Sequence, residues 1–270
     1  MELSTMAGHS PEIWGWEIAV YLFLGGLVAG LLVLRGAGFN PRWPYLAPVL
    51  LSAGMLALFL DLEHKLHMFR FYTSFQWRSP MSWGAWILLL VFPLTVANAF
   101  SLRRRLAAAN VALGAALGIY TGILLGTLGA RPLWNSPVLG PLFLVSGVSG
   151  AAALLYLLER DPGQRRRLAS LDLKLMAGEA ALLALLLLGL WTGGAAQRAA
   201  AALLFGGEFT AVFWVAVVLI GLALPAAIEL LERAGRAQHT AYVPVLVLAG
   251  GLALRAVILL AGQASHWGNS

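Results

Sequence analysis

The sequence predicts an all-α membrane protein of eight transmembrane helices arranged as two four-helix bundles, and three observations carry that expectation. Of its 270 residues 60% are apolar and only 11% charged, with a mean hydropathy of +0.81. A soluble domain has roughly 45–50% apolar and about 25% charged residues, so this chain has more apolar surface than one water-facing core can hide. Eight stretches are long enough to cross a hydrocarbon layer of about 30 Å, which takes around 20 apolar residues in a helix. Finally, these runs are too long and too rich in Leu and Ala for barrel strands, and lipid obliges backbone to satisfy its own hydrogen bonds.

In order, the first span is Ile13–Leu34, where Gly25, Gly26 and Gly30 allow neighbouring helices to approach closely. Pro44–Leu60 follows, then Ser82–Phe100, opened by Trp83 and Gly84. The fourth span, Ala109–Gly129, closes the first bundle, residues 1–129. Val138–Leu158, Leu171–Trp191, Thr210–Leu231 and Tyr242–Gly262 make the second, residues 130–270. Trp14-Gly15-Trp16-Glu17 and Trp83-Gly84-Ala85-Trp86 each open a span on the same side, a weak sign of an internal repeat.

An even number of spans puts both termini on one side. That side carries five Lys and Arg residues (Lys65, Arg70, Arg78, Arg131 and Arg198), and the other carries twelve, including the runs Arg103–Arg105 and Arg165–Arg167. The positive-inside rule therefore places the termini outside and the two arginine runs in the cytoplasm of a bacterial or archaeal cell. Topology accounts for the formal charge of +6, and no stripe of basic and aromatic residues points to nucleic acid. The first Lys or Arg is Arg35, and the first apolar run is too long for a signal-peptide core, so the first span is expected to be retained.

The absence of cysteine excludes disulfides, thiolate catalysis and Cys-bound iron–sulfur or zinc centres in this chain. All five histidines (His9, His64, His67, His239 and His266) lie at or beyond span ends, so a haem held between facing helices is not expected either. Ionisable residues within spans are functional candidates because the bilayer makes them costly. Glu17 lies one turn inside the first span with Tyr21 four residues on, on the same face, and Tyr120 lies in the outer half of the fourth. A carboxylate and two phenols in apolar surroundings suit a quinone, whose carbonyls accept hydrogen bonds and whose redox chemistry exchanges protons. The plainer reading, interfacial or core tyrosines and a Glu17 that reaches out to water, stays open. Asp61, Glu179, Glu229 and Arg255 are candidates for a proton pathway, with ion pairing the simpler role for Glu179 and Arg255. Asp61 and His64 form a second outer-side pair. The loop from Asp61 to Met81 mixes charge with aromatics and offers Arg70 and Arg78 for docking, with Arg131 in a further outer loop.

Four segments, spread in order from the first span to the last, carry a family resemblance. They are Ile13–Gly26, Ser79-Pro80-Met81-Ser82-Trp83-Gly84-Ala85-Trp86, Arg131-Pro132-Leu133-Trp134-Asn135, and Leu254-Arg255-Ala256-Val257 with Ala261-Gly262-Gln263. Together they resemble NrfD-like membrane subunits, the group that includes the polysulfide reductase membrane subunit. The resemblance implies a haem-free, metal-free subunit that binds menaquinone or ubiquinone. It also implies an extracytoplasmic four-cluster iron–sulfur partner, through it a molybdopterin catalytic subunit, and a dimer of such complexes. By register its quinone site falls on Ile18, Tyr21 and Tyr120. The family pattern has Asn and His where this chain has Ile18 and Tyr21, so Tyr21 is expected to replace a lost donor and Glu17 to restore polarity. Two rivals belong to other classes: an ion- or proton-translocating transporter, which would work as an isolated chain, and a passive anchor with no quinone.

Overall fold

Runs of Leu, Ala and Val with few breakers form helix wherever they are long enough to close their own hydrogen-bond ladder. The computed structural model describes residues 14–39, 42–61, 79–100, 106–127, 131–234, 236 and 242–266, and these form helices, turns and loops with no strand among them. The helices are α1 (Trp16–Gly36), α2 (Leu46–Asp61), α3 (Pro80–Phe100), α4 (Ala107–Thr127), α5 (Leu139–Leu158), α6 (Pro162–Thr192), α7 (Ala195–Phe205), α8 (Val212–Arg233) and α9 (Tyr242–Ala264).

Local signals explain the boundaries. Glu17 in the first turn of α1 and Arg35 in its last complement the helix dipole. Asp161 caps α6 by accepting from the N–H groups of Gly163 (3.3 Å) and Gln164 (3.0 Å), with Pro162 as first helical residue, a start that helices favour. That cap lies well before the expected boundary at Leu171, because the helix continues through the polar Gln164–Arg167 stretch rather than ending where hydropathy falls. In α8 the first stretch, Val212–Ala223, is wound as a π-helix before Pro225 returns the chain to α geometry.

Among the described residues seven helices are long and apolar enough to cross a membrane: α1, α3, α4, α5, α6, α8 and α9. The expected second span is shorter. The chain turns through Pro44 and Tyr45, so α2 begins only at Leu46 and its 16 residues extend about 24 Å. A further departure is α7, an 11-residue helix in what the hydropathy pattern makes a loop around Arg198. It is held by Ala200, Ala201 and Leu204, which are buried. The Trp214 indole N–H also donates to the carbonyl of Leu204 (2.9 Å).

Helix α1 packs against α2, α4, α5 and α9, while α5 packs against α1, α4, α6 and α9. The α1–α5 contact is made by small residues. A Cβ on Gly30 would overlap the carbonyl oxygen of Gly147, and one on Gly147 would meet the carbonyl of Gly26 at 2.5 Å. Close approach of this kind replaces the hydrophobic driving force that lipid cannot supply between helices. Gly25 of the same expected set faces open space. Large apolar side chains left exposed, among them Leu56, Leu89, Leu188 and Leu260, face the direction lipid would occupy.

Candidate functional site

Two groups of polar side chains in this apolar frame bear on function, and one arginine touches both. The first group lies at the end where α1 starts and α4 finishes. Tyr21 is five residues into α1, about 8 Å from its start, and Tyr120 is seven residues from the end of α4, about 10 Å. Both are buried, at 3% and 7% exposure, on helices packed against each other. Ile18 is buried beside Tyr21 in the same apolar cluster, and Glu17 is half-buried one residue earlier. Gly54 of α2 lies over the Tyr21 ring, where a Cβ would stand 3.8 Å from it.

Tyr120 is held from α3. A backbone hydrogen bond joins its hydroxyl to Gly84, and a Cβ on Gly84 would overlap the phenol oxygen. Gly84 is thus the residue that lets the phenol reach the α3 backbone. Its role is invisible in a hydropathy plot, although the Trp83-Gly84 pair marks the opening of a span.

Arg131, expected in a further outer loop, is buried. Its guanidinium donates to the carbonyl of Ser265 (3.1 Å) and contacts the His266 ring (2.7 Å to Nδ1). Three residues on, Trp134 is fully buried, donates its indole N–H to the carbonyl of Ile258 (2.8 Å) and stacks at 5.6 Å on Trp14. The chain folds inward here because the loop passes beneath the end of α9, where exposed carbonyls need donors. Gln263 completes the clasp, exchanging two 3.0 Å hydrogen bonds with the backbone of Trp14.

The second group runs through the α5–α6–α8–α9 side of the molecule. Arg255 is 1% exposed and donates to the carbonyls of Leu22 (3.2 Å), Phe143 (3.2 Å) and Gly251 (2.8 Å) and to Ser146 Oγ (3.1 Å). Its guanidinium also lies 5.4 Å from the Phe143 ring centroid. Gly26 is what admits it, since a Cβ there would stand 2.6 Å from Nη2. Ser146 accepts from Arg255 and also acts on the Glu179 carboxyl, so a serine hydroxyl stands between Glu179 and Arg255. One turn along α5, Ser149 donates to Asp172 (2.5 Å). Asp172, Ser146 and Ser149 are all buried, and sequence reasoning missed them: small hydroxyls are unremarkable in a span, and Asp172 adjoins the expected edge of one. Glu229, at the same end as Asp172, is also buried.

Asp61 ends α2, and its side chain is outside the described residues, as are His64, Arg70 and Arg78 in their entirety. Among the described residues no three His, Cys, Asp or Glu side chains are grouped to hold a metal ion.

The sequence profile of the family described as polysulphide reductase, NrfD, matches residues 5–265. The protein is 32% identical to the C subunit of polysulfide reductase from Wolinella succinogenes, over 94% of this sequence and 96% of that one. It is 28% identical to protein NrfD of Escherichia coli, over 96% and 98%. Identity to the NrfD homolog of Haemophilus influenzae is 27%, over 94% and 96%.

Proposed function

Because the chain belongs to the NrfD family, a multi-pass membrane subunit of an oxidoreductase, we propose that it binds a quinone, menaquinone or ubiquinone, at the outer ends of α1 and α4. There it oxidises the quinol and passes the electrons to a peripheral iron–sulfur subunit. The family match over nearly the whole chain carries this reading. The buried tyrosine pair at matching depth supports it.

In this reading eight helices cross the bacterial or archaeal cytoplasmic membrane, α2 by virtue of polar flanks that lengthen its reach. The Trp14–Gln263 bonds support it, since adjacent ends of the first and last spans require an even number of crossings. The positive-inside count places those ends outside. Two rings of packed helices, α1–α4 and α5, α6, α8 and α9, support the division into 1–129 and 130–270.

Bound quinol supplies electrons and protons together, and the residues of this chain position it and handle the protons. Tyr120, its hydroxyl fixed by Gly84, donates to one quinone oxygen. Tyr21 stands in the position of the family's donor on α1, and the ring packs against Ile18. Glu17, half-exposed in the first turn, moves the proton to the outer aqueous phase, with Asp61 and His64 as a second exchange pair. The electrons leave through an outer-face iron–sulfur subunit of four clusters, and through it a molybdopterin catalytic subunit, docked on the loop that carries Arg70 and Arg78. Arg131 acts as an internal tie for α9. The complexes are proposed to pair as dimers.

Titrating the purified chain with a menaquinone analogue, followed by quenching of tryptophan fluorescence, tests the site. Saturable quenching that weakens about tenfold in Tyr120→Phe is expected, the worth of one hydrogen bond of about 1.4 kcal/mol. Absence of saturable quenching in folded protein would leave the passive anchor as the better account.

A further inference from the structure

A cleft opens at the end of the molecule opposite the tyrosine pair, where α5 and α8 finish and α6 and α9 begin. It is lined by Tyr156 of α5, by Leu168 and Asp172 of α6, by Glu229 and Glu232 of α8, and by Val243 and Pro244 of α9. It has room for about one water molecule. Glu229 is 7% exposed, and its Oε2 is buried without a hydrogen-bond partner among the described residues. A buried carboxylate oxygen with no donor is costly, and a proton or a water in the cleft satisfies it. Asp172 lines the same cleft and is already hydrogen-bonded to Ser149.

We propose that this cleft is a proton-uptake port, in which Glu229 exchanges protons with the inner aqueous phase and passes them across the cleft to Asp172. The transfer balances simply. A proton leaves the Glu229 carboxyl for a bridging water, that water gives one to the Asp172 carboxylate, and Glu229 is recharged from solvent. The charged and titratable groups facing Glu229 are Glu232 and Arg233 on its own helix, Asp172 on α6 and Tyr156 on α5, the last also under the influence of Arg165. Arg233 is drawn partly aside by the carbonyl of Ala169 (3.3 Å), and α9 contributes only apolar side chains to the cleft.

Beyond Asp172 the polar line continues. Asp172 and Glu179 are seven residues apart on α6, about 10 Å, and the hydroxyls of Ser149 and Ser146 on α5 bond one of them each. The line stops at Arg255, whose fixed positive charge repels a migrating cation and whose bond to the Leu22 carbonyl reaches the residue next to Tyr21. A port that dead-ends in this way loads carboxylates from one side without leaking to the other.

The test uses the full chain in oriented liposomes and needs neither quinone nor partner, so its result is independent of the quinone reading. Infrared difference spectra are recorded after a pH jump on one side only. A band from protonated carboxyl is expected to respond to the inner-side jump, and to be lost in part in Glu229→Gln and again in Asp172→Asn, two near-isosteric changes that carry the test separately. An unchanged band in both variants, a response to the outer side alone, or a band that follows sodium concentration at constant pH overturns the proposal.

Discussion

At the scale of single residues, Arg255 shows how a membrane protein holds a charge it cannot expose. The guanidinium has five N–H donors in a rigid fork, and three carbonyls and a serine hydroxyl receive them. Lysine has a compact ammonium on a flexible stem and cannot reproduce that fork. Arg255→Leu is expected to strand the buried Glu179 and to lower stability by about 3–5 kcal/mol, read from thermal unfolding in detergent, with Arg255→Lys recovering only part of the loss. Gly84 is a second residue-scale test. Gly84→Ala pushes the Tyr120 hydroxyl from its place and is expected to weaken quinone-analogue binding at least as much as Tyr120→Phe, with the helices intact by circular dichroism. Tyr120 stands out as a phenol in the outer half of a span, and register with the family adds to that, whereas Asp172 escapes notice because it lies one residue inside the expected start of its span, where a carboxylate reads as a boundary group. The contacts of Arg131 with Ser265 and His266 are equally invisible in the sequence, because they depend on how the loop turns under α9.

Among elements, periodicity and length delivered most of the spans, because a bilayer imposes its thickness on every helix that crosses it. What composition could not convey is which helices touch. The α1–α5 seam depends on Gly30 and Gly147, and here overlap would fall on backbone that cannot rotate away. Gly147→Ala is expected to cost about 1–3 kcal/mol, the usual penalty of overpacking, visible as a lower midpoint of thermal unfolding; the same change at Gly25, where an added Cβ meets nothing within 4 Å, should leave the midpoint nearly unmoved. Helix α7 was illegible for another reason. At 11 residues it is too short to register as a span, and its helicity depends on packing against α6 and α9.

At the scale of the whole molecule, orientation is the quantity on which the electron and proton directions both depend. The absence of native cysteine makes it directly measurable. Arg166 lies near the start of α6 and Arg198 on α7, just past the end of α6, and both are accessible. A membrane-impermeant thiol reagent applied to intact cells or spheroplasts is expected to label Arg198→Cys and to label Arg166→Cys only after lysis. The reverse pattern would invert the topology, and with it the side on which an iron–sulfur partner docks.

The burial of Arg255 also bears on how the chain is made. A lone arginine at the centre of a helix opposes insertion by about 2.5–3.5 kcal/mol on translocon scales, and α9 leaves the ribosome after α1 and α5. Every group that receives the guanidinium outside its own helix, on Leu22, Phe143 and Ser146, belongs to α1 or α5 and has been synthesised well before it. Biogenesis therefore has an order written into it. The earlier helices form a waiting socket, and α9 enters the bilayer by folding into that socket rather than by partitioning into lipid on its own.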